Sequence, residues 1–100
     1  LALGTLAANP FDDATGTFLR HMESVLNLSH GQSIRLRQPL ASASKREIIA
    51  RCVPLPLELT LSCLQPCDGM HCGACNKCGE RSRAFAAAGI DDRALQRQAV

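Results

Sequence analysis

From residue 15 to residue 28 the apolar positions Phe18, Leu19, Met22, Val25 and Leu26 recur at helical spacing, while Arg20, His21, Glu23 and Ser24 fall largely on the other side. The pattern predicts an amphipathic helix from about Thr15 to Leu28 whose apolar stripe packs into a core. Ahead of it, Gly4, Asn9-Pro10 and Asp12-Asp13 are turn formers, so residues 1–14 read as a loop that leads into the helix. Past Gly31, Ile34 and Leu36 alternate with Arg35 and Arg37 up to Pro39, the pattern of a short half-buried strand. Ser44-Lys45-Arg46-Glu47 matches a capping box and predicts a short helix through Ile48 and Ile49 towards Cys52, which Pro54 and Pro56 stop. Leu57, Leu59 and Leu61 alternate with polar residues and read as an extended segment. From about Lys77 to Ala88 the chain is rich in Ala, Arg and Glu and ends at Gly89, which accepts the left-handed conformation past a helix end. Asp91 or Asp92 stands where it would cap a short terminal helix through Leu95.

A chain of 100 residues is one compact unit's worth of sequence. Hydrophobic residues make up 46% of it but aromatics only 3%, with no Trp or Tyr, so the core is built from Leu, Ala, Ile, Val and three Phe. So thin a core gains from a metal staple. The charge of +2 balances 11 basic against 9 acidic residues without long like-charged runs. With few aromatics to stack bases, this argues against a nucleic-acid surface. No apolar stretch approaches the roughly 20 residues that span a bilayer, and no basic segment precedes an apolar one as in a secretory signal. The expectation is a soluble, cytoplasmic protein without a membrane partner. The opening Leu1-Ala2-Leu3-Gly4-Thr5-Leu6 lacks an initiator Met and reads like the interior of a longer protein.

Six cysteines without a secretory signal favour metal over a disulfide framework. The spacing Cys63-x8-Cys72-x2-Cys75-x2-Cys78 offers four thiolates, with Gly69, Gly73 and Gly79 as expected tight turns around them. Four soft ligands suit tetrahedral zinc, and a site filled by protein leaves no position for water or substrate. Such a site is structural. His71 adjoins Cys72 and can replace a cysteine or support a thiolate, and Cys67 is a spare thiol. Cys72-x2-Cys75-x2-Cys78 also has ferredoxin-like spacing, an iron–sulfur alternative that visible absorbance separates from zinc. A thioredoxin-like redox pair fits less well, because three cysteines stand in series. Cys52 reads as an ordinary buried thiol.

Leu57-Glu58-Leu59-Thr60-Leu61-Ser62-Cys63, His71-Cys72-Gly73-x-Cys75-x2-Cys78-x-Glu80-Arg81 and Arg83-Ala84-Phe85-x3-Gly89-Ile90-Asp91-Asp92, preceded by Pro39-Leu40 and Ser44-Lys45-x-Glu47-Ile48-Ile49, resemble the C-terminal half of the 7-cyano-7-deazaguanine synthases, the queuosine-biosynthesis ligases also called the ExsB family. The resemblance covers roughly residues 31 to 92. It implies an α/β, Rossmann-like PP-loop ATP pyrophosphatase fold, related to the adenine nucleotide alpha hydrolases. This chain would supply the C-terminal portion of the α/β domain in residues 1–56 and a four-cysteine zinc loop with terminal helices in residues 57–100. These residues would be mostly helical with one or two short strands. It implies zinc on Cys63, Cys72, Cys75 and Cys78, and ATP bound by a Ser-Gly-Gly-x-Asp-Ser loop on an N-terminal half, a sequence that occurs nowhere among these 100 residues. The implied reaction adenylates a carboxylate, converts it to an amide and then to a nitrile.

One departure concerns the substrate region, where the family carries an Asp-Tyr-Ser-Gly-Tyr-Pro-Asp type of stretch and this chain has Leu3 to Thr15 without a tyrosine. The substrate can therefore differ. Asn9, Asp12, Asp13 and Thr15 are the candidates to contact it, against the simpler reading that they turn and cap the following helix. The function expected is the zinc-binding part of an ATP-dependent ligase, inactive by itself, with its own N-terminal half, a second copy in a homodimer and a small-molecule carboxylate as partners. No catalytic residue is expected among these positions. The alternative is a stand-alone structural zinc-binding interaction module without activity.

Overall fold

Thr15 opens the first helix with its hydroxyl: Oγ1 accepts the Phe18 amide at 3.2 Å and donates to the Asp12 carbonyl at 2.8 Å. Gly31, at φ 61°, closes that helix in the left-handed conformation. The computed structural model describes residues 1–31 and 33–96, and the chain divides into two compact units, Leu1–Ser44 and the residues from Lys45 onwards.

In the first unit a 3-10 turn, Asp12–Ala14, leads into α1, Gly16–His30. The stripe read as core packing is only partly so. Leu19 alone is buried in α1, Met22 and Leu26 are half-buried, and Phe18 and Val25 are 40% and 57% exposed. The expected strand at residues 33–37 is also absent as a regular element. Its backbone is extended, but its two edges have different partners. Towards residues 1–3, the Leu1 nitrogen donates to the Arg35 carbonyl, and Arg37 and Leu3 donate to the carbonyls of Leu1 and Arg37, each at 2.8 Å, forming a parallel bridge between Ala2 and Arg37. Towards α1, the Asn27 amide pairs with both the carbonyl and the N–H of Ile34, and a Glu23 carboxylate oxygen accepts the Leu36 amide at 2.8 Å. Side chains of the helix thus occupy the edge where another strand would pair, and a sheet cannot continue there. Glu23, placed by its spacing on the solvent side, is one of these partners.

The second unit contains α2, Lys45–Arg51, a 3-10 turn at Leu57–Leu59, α3, Asn76–Ala88, and the single turn α4, Arg93–Gln96. Ile49 of α2 packs on Ala84 and Phe85 of α3, with Leu57, Ala88 and Ile90 against them. Lys45 bridges Glu80 at 2.7 Å and Arg46 donates to the Ala87 carbonyl at 3.2 Å along the rim. Packing therefore joins α2 to the cysteine-bearing half. Gly89, at φ 69°, ends α3.

The extended segment expected at residues 57–62 begins instead as the 3-10 turn, and only from Thr60, at φ −85° and ψ 138°, does the backbone extend. The reason is the partner of its carbonyls. Arg81 donates from Nη2 to the Leu57 carbonyl at 3.1 Å and from Nη1 to the Thr60 carbonyl at 3.0 Å, so a guanidinium takes the place of a neighbouring strand. Its remaining N–H groups reach Thr60 Oγ1 at 2.9 Å and the two Asp92 oxygens at 2.6 and 2.9 Å, which satisfies all five donors of a side chain only 5% exposed. The guanidinium also lies 4.9 Å from the Phe85 ring centroid. Asp92, not Asp91, caps α4, its Oδ1 accepting the Ala94 amide at 3.2 Å. No helix among the described residues is long and apolar enough to cross a membrane.

Candidate metal centre

Two backbone devices bring the cysteines together. Between Cys63 and Cys72 the chain doubles back through Asp68-Gly69, with φ 49° and 75°, the paired positive values of a type I′ turn, while Cys67 and Met70 exchange backbone hydrogen bonds at 3.1 and 2.9 Å. Gly73, at φ 75°, then turns the chain into α3. Gly79 does not serve as a turn: it lies inside α3. Cys75 is the N-cap of that helix, its Sγ accepting the Cys78 amide at 3.5 Å.

The Sγ atoms of Cys63, Cys72, Cys75 and Cys78 all lie within 4.8 Å of one another, a group that can hold a metal ion. Cys63 and Cys75 stand 3.9 Å apart. A tetrahedron of sulfurs around zinc, at the usual bond length, has edges of about 3.8 Å. A disulfide would require about 2 Å, and all six cysteines are free thiols.

Backbone N–H groups converge on these sulfurs. Cys72 and Gln65 donate to Cys63 at 3.2 and 3.3 Å, Cys75 and Ala74 to Cys72 at 3.3 and 3.5 Å, and Leu64 to Cys75 at 3.5 Å. Such donors favour the thiolate, the form that binds metal. The Leu64 and Cys78 amides bring the Cys75 thiol down to about 6, and those of Ala74 and Cys75 lower Cys72. Cys78, 1% exposed, is pushed up to about 12, first by burial and also by the neighbouring sulfurs. Four thiolates so close together are mutually repelling, and a divalent cation at their centre relieves the conflict. The donor set therefore fits a closed four-sulfur zinc site.

The other sequence candidates fall elsewhere. Cys67 is exposed and outside the group of four, 3.9 Å from the Asp68 carboxylate. Cys52 is half-buried near the end of α2. His71 is 4% exposed, yet its Nε2 accepts the Ser62 amide at 3.1 Å rather than facing the sulfurs. Burial first, and then the Arg81 charge, lower its pKa and keep the ring neutral. In the first unit, Asn9 Oδ1 accepts the Phe11 amide at 3.0 Å, Thr15 caps α1, and Asp12 and Asp13 are exposed on the 3-10 turn. The sequence reading passed over Arg81 as a site-building residue. An arginine three positions after the last cysteine, on the buried side of its helix, was the available signal.

The family model for Queuosine biosynthesis protein QueC matches residues 2–89. The chain belongs to this family. The QueC match begins well before residue 31, so the first unit, divergent loop included, shares in it. The chain is 40% identical over 87 residues to the 7-cyano-7-deazaguanine synthase of Methanothermobacter thermautotrophicus, covering 85% of this chain and 39% of that protein. It is 37% identical over 90 residues to the 7-cyano-7-deazaguanine synthase of Pseudomonas fluorescens, covering 82% and 39%. A 7-cyano-7-deazaguanine synthase from Leptospira interrogans is 28% identical over 100 residues, covering 93% and 41%. The chain thus spans about two fifths of the length of the curated QueC relatives it matches. No solved structure matches it.

Proposed function

We propose that these residues form the zinc-binding C-terminal part of an ATP-dependent ligase of the QueC family, whose nucleotide site lies on a preceding half of the protein. The observation that carries this reading is the family match over residues 2–89, at about two fifths of the relatives' length. The complete enzyme adenylates a carboxylate with release of pyrophosphate, ammonia displaces AMP to give an amide, and a second ATP activates the amide oxygen, which leaves with AMP as the nitrile forms and a second pyrophosphate is released. The relatives' name points to a 7-deazaguanine product, and Asn9, Asp12, Asp13 and Thr15 are this chain's candidates for substrate contact.

Two features of the first unit support a larger α/β fold. The parallel bridge Ala2–Arg37 joins segments separated by α1, the connection a parallel sheet requires. The exposed apolar side chains Phe18, Val25 and Leu28 of α1 suit a covering layer from the nucleotide-binding half. Zinc on Cys63, Cys72, Cys75 and Cys78 supplies structure, because a closed tetrahedron leaves no open position for chemistry. The enzyme works in the cytoplasm as a homodimer.

Incubation of the full-length protein with ATP, ammonia and 7-carboxy-7-deazaguanine, followed by mass spectrometry and pyrophosphate assay, tests the proposal. Nitrile formation is expected, with no pyrophosphate from residues 1–100 alone. Pyrophosphate release by the 100-residue chain would overturn the division of labour. A full-length protein that holds zinc but consumes no ATP with this acid or related ones would favour an inactive interaction module.

A further inference from the structure

From Leu64 to Ala74 every side chain but one is exposed. The exception is His71, 4% exposed. Its Nε2 accepts the Ser62 amide at 3.1 Å, across nine residues of chain. The two partners occupy equivalent places, since Ser62 precedes Cys63 and His71 precedes Cys72. One step further along, the Cys72 amide donates to Cys63 Sγ at 3.2 Å. The two ligand-carrying segments are therefore tied twice, once through sulfur and once through the imidazole.

We propose that His71 is a positioning residue of the metal centre, a strut whose Nε2 fixes the separation of the Cys63 and Cys72 segments by accepting the Ser62 amide. This rests on the reading of the four cysteines as a zinc site. The strut has a foundation in the core: Thr60, two residues before Ser62, is held by Arg81, which stands on α3 three residues after Cys78. The path from α3 through Arg81, Thr60 and Ser62 to His71 contains no metal. It places Cys63 and Cys72 before zinc arrives, leaving the ion to close a site whose spacing is already set.

The chemistry separates an acceptor role from mere filling of space. His71→Leu keeps an apolar side chain of comparable bulk and removes the acceptor, whereas His71→Gln keeps an oxygen able to receive the Ser62 N–H. Zinc affinity of the full-length protein is measured by competition with a chromogenic chelator, and the ligand field by the visible spectrum of the cobalt-substituted form. The Leu variant is expected to bind zinc about 10–100-fold more weakly, with shifted cobalt bands, as outer groups of metal sites commonly do when removed. The Gln variant is expected to stay within a few-fold of wild type with its spectrum unchanged. Wild-type affinity and spectrum in His71→Leu would overturn the strut, and so would a loss in His71→Gln as large as in His71→Leu. If the Leu variant does not fold, the Gln variant decides, a tenfold loss overturning the proposal and retention supporting it. Absence of zinc from the wild-type protein would instead overturn the metal site itself.

Discussion

Arg81 and Asp92 meet in a two-pronged ion pair at 2.6 and 2.9 Å, with both side chains almost completely buried. The pair ties α3 to α4, and through Leu57 and Thr60 it also fixes the approach to Cys63. Removing one member strands a charge in the interior, which costs about 3–5 kcal/mol, more than an exposed bridge is worth. Asp92→Ala is expected to lose that much in urea unfolding of the zinc-loaded protein. Arg81→Met combined with Asp92→Leu should recover part of it, since no unpaired charge remains while the Leu57 and Thr60 carbonyls and the Ala94 amide lose their partners. A loss below about 1 kcal/mol in Asp92→Ala would mean the pair is solvated in solution.

Phe85 is the largest side chain in the buried cluster and also carries the Arg81 guanidinium on its face. Phe85→Ala is expected to cost about 3–5 kcal/mol, the range for emptying a phenylalanine site. Phe85→Leu should cost less, because most of the volume stays filled. Equal stability of the Ala variant and wild type by thermal unfolding would contradict the packing of α2 on α3.

Glu80 accepts from Lys45 and Lys77 at 2.7 and 2.8 Å, and these lysines hold its carboxyl at about 2, below the ordinary 4.5. The folded form binds a proton more weakly than the unfolded form. Its stabilising contribution is therefore fully present above about pH 4.5 and fades as the pH falls towards 2. The stability difference between wild type and Glu80→Gln should shrink over that window, and also in high salt because the groups are partly exposed. Comparing the two proteins cancels the acid release of metal common to both. A difference independent of pH would contradict the pairing.

The cysteines divide into two classes. Cys75→Ser and Cys78→Ser are expected to lose zinc, while Cys52→Ser and Cys67→Ser keep one ion per chain by metal analysis. Serine at position 75 can still accept the Cys78 amide as an N-cap, so α3 should survive better in Cys75→Ser than in Cys78→Ser, where a hydroxyl enters a site 1% exposed. Equal helix loss in both variants by circular dichroism would contradict the capping role.

The helices and the cluster were legible because their signals are local. The Thr15 cap, the Gly31 and Gly89 ends and the C-x2-C spacing each act within a few residues. The strands were misread because strand pairing is not local: an alternating pattern at Ile34 and Leu36 cannot reveal that Asn27 and Glu23 occupy one edge. The leucines at 57–61 misled for a related reason, since their carbonyls are met by Arg81 from more than twenty residues away. Exposure along α1 escaped the periodicity as well, which marks a face as apolar without saying what covers it. The contact of His71 with Ser62 is hidden in the sequence as well, because adjacency to Cys72 says nothing of a partner nine residues earlier.

Zinc on Cys63, Cys72, Cys75 and Cys78 is the proposal on which the metal centre depends. X-ray absorption at the zinc edge of the purified full-length protein tests it most directly. Four sulfur neighbours at about 2.3 Å, with no nitrogen or oxygen in the shell, are expected. A shell that includes imidazole nitrogen, metal–metal scattering from an iron–sulfur cluster, or a protein that purifies without metal would contradict it.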